Sequence, residues 1–391
     1  MLPEYRPEQL SDFSLEAVCQ AQLKALEHVG HSLGTEFPNR IGGRDLRAST
    51  TFTSINPSRT DQVVGVFPKQ GMKAVEEALG EAEQAFRSWR FTEAEDRAAL
   101  LLRVAAIMRE RRFVLNAWEI YEVGKPWMEA DGDVAEAIDF CEFYAREAVR
   151  YAGPQPLVPL PGEMTRLAYI PLGVGAIIPP WNFPLAILCG MTTAAIAAGN
   201  TVIVKPSSDA AGVASIFMQI LIDAGLPPGV VNLVTGPGPE AGEALVTHPR
   251  IRFIAFTGSK EVGLRINAEA ARPREGQIWI KRSILEMGGK DFTLVDETAD
   301  LDRAAAGILA GAFGFQGQKC SACSRAILHE KIHDAVLERI VEGAGKIKVG
   351  PAMEKGSEMG PVINQAALKK ISAYIEIGKK EGRMLTGGEP A

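Results

Sequence analysis

A chain of 391 residues with 46% hydrophobic content has room for more than one domain and too much apolar patterning for a disordered polymer. Its net charge of −6, with Lys and Arg interspersed among acids, argues against a nucleic-acid partner and for a small molecule. The longest apolar runs are too short to span a bilayer, Met1 to Glu27 has no apolar signal-like core, and five widely spaced cysteines suit a reducing compartment, so a cytoplasmic location is expected, with no membrane partner.

In chain order, residues 75–89, 93–113 and 131–149 place apolar side chains at helical spacing with charges opposite, so the first third is predicted to be mainly helical. Residues 157–170 change character: short apolar runs flank Pro161-Gly162-Glu163, and a hairpin projecting from the body is expected. Short β-rich runs then follow at 174–178, 201–204, 230–234 and 251–256, separated by helical stretches that include 185–198 and 211–224. That alternation predicts an α/β fold with a parallel sheet, whose ligands bind at the carboxyl ends of the strands. A strand at 292–295, a helix at 302–313, a cysteine loop, a strand at 325–328 and a helix at 331–344 predict a second α/β unit beginning near Glu286.

The richest stretch chemically is Gly317-Gln318-Lys319-Cys320-Ser321-Ala322-Cys323, a small polar loop in which a ligand can reach a thiolate. A free thiol titrates near 8.5, roughly, so nearby donors must help Cys320 ionise. Upstream, Glu286-Met287-Gly288-Gly289-Lys290 opens a glycine turn with an acid, and Pro180-Trp181-Asn182-Phe183-Pro184 holds an amide between prolines. These suggest base, oxyanion donor and nucleophile in one site. Cys19, Cys141 and Cys189 read as buried structural thiols. A redox pair or half a zinc site at Cys320 and Cys323 with His329 and His333 is disfavoured, because five residues separate Cys323 from His329 where a zinc finger uses about a dozen. No metal is therefore expected.

Pro180 to Pro184, Lys205-Pro206, Phe256-Thr257-Gly258-Ser259, Glu286 to Lys290 and Gly317 to Cys320 occur in the order and approximate spacing of the aldehyde dehydrogenase superfamily, which this chain resembles over nearly its whole length. Gly317 to Ala322, Gly124-Lys125-Pro126-Trp127 and Asp133 to Phe140 resemble the branch that oxidises L-glutamate γ-semialdehyde, the open form of 1-pyrroline-5-carboxylate, in proline degradation. The resemblance implies a helical arm over 1–40, a Rossmann-type NAD-binding domain over 41–284 and a catalytic domain over 285–391. It also implies a homo-oligomer and a longer chain: family members continue beyond the position of Ala391, through a Glu-x-Phe-Gly-Pro motif, a loop for the substrate carboxylate and an oligomerisation strand.

Residue by residue, the resemblance makes Cys320 the nucleophile, Asn182 an oxyanion donor beside the Cys320 backbone amide, and Glu286 a base partly desolvated against Gly288 and Gly289. Around the cofactor it places Ile178, Pro180, Trp181, Lys205, Ser208, Gly238, Gly242, Thr257, Gly258 and Ser259. Lys205 would meet the adenosine ribose and Ser259 the pyrophosphate. The family often has Glu where Ser208 stands, to bind the ribose 2′-hydroxyl and repel a 2′-phosphate; Ser208 lifts that repulsion, so NAD is expected and NADP stays open. Ser321 would bind the substrate carboxylate, Glu136 its amino group, and Phe183 would wall the aldehyde pocket. Each also has a plainer role as loop filler, solvated acid or core side chain. The same residues leave open a cofactor-free thioester-forming hydrolase, or a module that keeps the fold without the chemistry.

Overall fold

The computed structural model describes residues 3–389. Helix α1 (Glu16–Gly30) leads into strands that helical periodicity does not announce: β1 (Thr35–Glu36), β2 (Asn39–Ile41), β3 (Arg44–Leu46), β4 (Thr51–Asn56) and β5 (Arg59–Pro68). Helix is still the larger part of the first third, as expected; these five strands are what the expectation left out. β4 and β5 pair antiparallel and β1 joins β5 in parallel. β1 to β4 are short and rich in Thr, Ser, Arg and Asn, and β5 is polar in its first half and apolar in its second, so the alternation that marks a half-buried strand is faint. Helices α2 (Met72–Trp89), α3 (Ala94–Glu110), α4 (Arg112–Val123) and α5 (Trp127–Ala152) follow. α4 ends on Gly124 at φ 70°, where an added Cβ would lie 2.9 Å from both Pro57 and Pro361. Glycine is needed there for the left-handed cap and for the close approach.

The expected hairpin is corrected. Residues 154–173 form no ladder; one turn, closed by Glu163 N donating to Leu160 O at 3.2 Å, separates two irregular and mostly exposed arms. Pro154, Pro156, Pro159 and Pro161 strip the first arm of the amide donors that a ladder requires.

The doubly wound unit consists of β6 (Val174–Ile178), α6 (Ala186–Ala197), β7 (Thr201–Val204), α7 (Ala211–Asp223), β8 (Val231–Leu233), α8 (Glu243–Thr247), β9 (Phe253–Thr257), α9 (Lys260–Ala270) and β10 (Arg282–Glu286). Its sheet runs β10-β9-β6-β7-β8, parallel throughout, and β2 and β3 extend it antiparallel beyond β8. β6 to β9 are buried along their whole lengths, as parallel strands covered on both faces must be. Alternate side chains serve opposite cores. Ile177, Val202 and Val204 join the larger one with α3 to α7, while Ala176, Ile178 and Ile203 join the other with α2 and α8.

The remaining chain forms β11 (Asp291–Val295), α10 (Leu301–Phe313), β12 (Cys323–Leu328), α11 (His333–Lys346) and α12 (Gln365–Glu381). β11 and β12 pair in parallel as a separate small sheet. Its core is slight: Val295, Ile308, Ile332 and Val336. Among the described residues no helix is long and apolar enough to cross a membrane.

Candidate active site

The chain winds outward from β6 in both directions, to β7 and β8 on one side and to β9 and β10 on the other. A crevice therefore opens where the carboxyl ends of β6 and β9 part, the place where open α/β sheets bind ligands. Ile178 ends β6, and Pro180, Trp181 and Asn182 follow it. Thr257 ends β9, Gly258 and Ser259 follow, and Glu286 is the last residue of β10. Lys205 stands one residue past β7.

A cleft of about 330 Å³ at this edge is lined by Trp181, Asn182, Thr257, Gly258, Gly288 and Cys320, among others. The structure thus brings together three segments far apart in sequence. The Asn182 side-chain amide donates to Gln318 O at 2.8 Å, which places it against the cysteine loop. Gly289 lets the acidic turn approach the same loop, since a Cβ there would lie 2.8 Å from the Cys320 carbonyl oxygen. Cys320 is exposed, whereas Cys19, Cys141 and Cys189 are buried.

The cysteine loop owes its shape to strain and tethers. Phe315 and Gln316 have φ of 46° and 58°, left-handed values rare for side-chain-bearing residues, and Gly317 continues at 68°. Such residues cost about 1–3 kcal/mol each and persist where surroundings over-determine them. Here Gln316 Nε2 donates to Pro361 O at 2.7 Å and to Gly124 O at 3.2 Å. Ile363 N donates to Gln318 Oε1 at 3.0 Å, and Lys319 Nζ donates to Glu129 Oε1 at 2.8 Å. Their tethering escaped the sequence reading because only a fold juxtaposes these residues.

Glu286 departs from expectation. Its side chain is exposed and does not line the cleft, although Met287 and Gly288 do. The reason is its place at the end of an edge strand whose alternate residues face solvent. Its backbone oxygen is engaged, accepting from Gly258 N at 3.1 Å. Phe183, Ser321 and Glu136 also stand outside the cleft lining. Phe183 packs against the larger core, and Ser321 is exposed beside Cys320. Glu136 shows its outer atoms to solvent, yet the protein crowding around its carboxyl, and then the charge of Asp133, raises its pKa.

On the cofactor side, Lys205 is buried with Nζ donating to Pro206 O at 2.6 Å, and desolvation pulls its pKa down to about 8. Gly242 faces it, since a Cβ there would sit 3.7 Å from the lysine chain. Ser259 caps α9, its hydroxyl accepting from Val262 N at 3.4 Å, which leaves other first-turn amides free for an anion. Ser208 opens the short turn 208–210 and Gly238 lies exposed in the turn after β8. A buried ammonium with a single acceptor and an open helix start fit a dinucleotide. Among the described residues no group of His, Cys, Asp and Glu is arranged to hold a metal ion. A larger groove, about 480 Å³, runs between α11 and Arg383 and Leu385, and none of the candidate site residues lines it.

Residues 46–391 match the model of the aldehyde dehydrogenase family, and the chain belongs to that family. It is 51% identical over 389 residues to a 1-pyrroline-5-carboxylate dehydrogenase of Geobacillus thermodenitrificans (strain NG80-2), covering 100% of this chain and 76% of the relative. The corresponding protein of Bacillus cytotoxicus is 49% identical with the same coverage. Among solved structures, the 1-pyrroline-5-carboxylate dehydrogenase from Thermus with bound NAD superposes with a TM-score of 0.97 at 48% identity, covering 100% of this chain and 76% of that one.

Proposed function

We propose that this chain oxidises L-glutamate γ-semialdehyde to L-glutamate, in proline degradation, with NAD as the oxidant. One observation carries the chemistry: the Asn182 amide and Cys320 share a cleft at the switch point of the sheet, with Asn182 bonded to the loop that presents the thiol. The likeness to 1-pyrroline-5-carboxylate dehydrogenases at about half of all positions supports the substrate.

In this reading the Cys320 thiolate adds to the aldehyde carbon, forming a C–S bond and placing charge on the former carbonyl oxygen. Asn182 has two amide hydrogens and spends one on Gln318, so the other is free to donate to that oxygen, alongside the Cys320 backbone amide. Bound NAD supplies the hydride acceptor. The oxygen's electron pair then re-forms the carbonyl as the carbon's C–H bond breaks and its hydride departs, which leaves a thioester on Cys320. Glu286 takes a proton from water, the hydroxide adds to the thioester, the C–S bond breaks and glutamate departs. Its exposure in this structure requires Glu286 to turn toward the cleft, where Met287 and Gly288 already lie. Lys205, Ser208, Gly238, Gly242 and Ser259 hold the cofactor in this reading, with Ile178, Pro180, Trp181, Thr257 and Gly258 along its path. Ser321, Glu136 and Phe183 receive the substrate's carboxylate, amino group and aldehyde chain. A cytoplasmic homo-oligomer belongs to the same proposal.

The test is to mix the purified chain with 1-pyrroline-5-carboxylate and NAD, with NADP in parallel, and follow NADH or NADPH absorbance. Semialdehyde-dependent NADH is expected. Cys320-dependent ester hydrolysis without NADH would overturn the reading in favour of a cofactor-free hydrolase.

A further inference from the structure

Gly124-Lys125-Pro126-Trp127 and the run from Asp133 mark this branch of the family in sequence, yet no chemical step falls to Lys125 or Asp133. Both are fully buried. Lys125 Nζ lies 2.7 Å from Asp133 Oδ2 and 3.7 Å from Glu119 Oε2, with all three side chains at 0% exposure. Burial, and then the charge of Asp133, drives the pKa of Glu119 well up. A buried ion pair such as Lys125 with Asp133 is weak support for a fold, because taking two ions out of water is costly and a well-packed apolar trio serves stability as well.

Its surroundings suggest another role. The Lys125 ammonium stands 4.2 Å from the centroid of the Phe183 ring and 5.0 Å from that of Phe315, within cation–π range of both. Phe183 follows Asn182 directly. Phe315 opens the left-handed turn that leads to Cys320, and its own ring is fully buried. Trp181 meets Phe315 edge-on at 6.2 Å, and the second oxygen of Asp133 accepts from Ala186 N at 2.7 Å, where α6 begins. One buried ammonium therefore touches the loop after β6 and the loop after α10, which belong to different α/β units.

We propose that Lys125 is a positioning residue: through the rings of Phe183 and Phe315 it sets the spacing between the Asn182 amide and the Cys320 loop. The proposal rests on Cys320 as nucleophile and Asn182 as oxyanion donor. It concerns how the two are aligned, and Lys125 itself touches no substrate. Asp133 anchors the ammonium and the start of α6 together, so both loops refer to the same fixed point.

The test compares the full chain with Lys125→Met, Lys125→Arg, Phe315→Leu and the Lys125→Met/Phe315→Leu double, plus Lys125→Met/Asp133→Asn to avoid a stranded carboxylate. Loss of alignment by about 1 Å costs about a hundredfold, so kcat per titrated Cys320 should fall ten- to a hundredfold in Lys125→Met. KM and NAD affinity should hold, Arg should restore part of the loss, and the double should be no worse than its poorer single. A purely structural role predicts a lower melting temperature and fewer titratable sites with kcat per site intact, and that result overturns the proposal. So do additive losses. Phe315→Leu disturbs no charge and decides the matter if the charge variants fail to fold. Should the wild-type chain make no NADH, the functional reading fails separately, and alkylation of Cys320 by iodoacetamide decides this one. A tenfold slowing in Lys125→Met, roughly what one lost cation–π contact implies, supports it, and an unchanged rate overturns it.

Discussion

The two α/β units are both built on parallel strands, but they bury them differently. β6 to β9 are hidden from end to end between two cores, whereas the β11–β12 pair shows Phe292, Leu294 and Ile327 to solvent over a core of four side chains. Cys320, the nucleophile of the proposed reading, sits on the less buried unit. Its loop is partly exposed, and its geometry is imposed from outside itself. Gln316, Gln318 and Lys319 tie it to Gly124, Pro361, Ile363 and Glu129. The well-packed sheet contributes Asn182, Thr257 and Gly258 along its edge.

Glu286, at the seam between the units, offers the largest test of that division. It is exposed and its side chain supports little, so Glu286→Gln should leave the unfolding transition and NAD binding nearly unchanged. Turnover should fall about a hundred- to ten-thousandfold while acyl-enzyme accumulates on Cys320, visible by mass spectrometry. Near-normal turnover would exclude Glu286 as the base. Next in size is a stability contrast. Ile203 at 0% exposure in the centre of the sheet should cost about 2–5 kcal/mol when cut to Ala, and Leu294 at 68% exposure less than about 1 kcal/mol. Urea unfolding of both variants gives the answer, and equal losses would erase the distinction between the units.

What could be read from the sequence follows the same line. The central strands announce themselves as unbroken apolar runs: 174–178 and 201–204 match β6 and β7 to the residue, because strands covered on both faces need no polar alternation. The helical periods at 185–198 and 211–224 likewise match α6 and α7 within a residue at each end. β1 to β5 were missed because their pairing is partly non-local, β2 with β8 and β1 with β5, and nothing in a short polar strand names its partner. The predicted hairpin failed because apolar content was weighed above the prolines that forbid a ladder. Motif resemblance proposed Cys320, Asn182 and Glu286 as the reacting groups. It took in Lys319 and Lys125 without giving either a role and did not take in Gln316, because their contacts span more than a hundred residues or join buried charges. It also misjudged the exposure of Glu286, which depends on β10 being an edge.

Lys205 provides the subtlest test, because it is the place where the buried sheet carries a charge. Desolvation lowers its pKa from 10.5 to about 8, and a single carbonyl, Pro206 O, receives its protons. Between those values the unfolded chain binds more protons than the folded one, so stability rises with pH across that window. Below about pH 8 the folded protein bears the whole cost of keeping the ammonium charged, up to about 3 kcal/mol at 1.36 kcal/mol per pK unit. Lys205→Met should therefore be more stable than the wild type at pH 7, by less than that limit, and the difference should shrink as pH approaches 10. The same variant should bind NAD more weakly, as titration calorimetry would show, if Lys205 meets the adenosine ribose. A variant less stable at pH 7 would mean that the lysine secures the sheet edge through Pro206 after all. The buried half would then hold its charge for the fold and not for the cofactor.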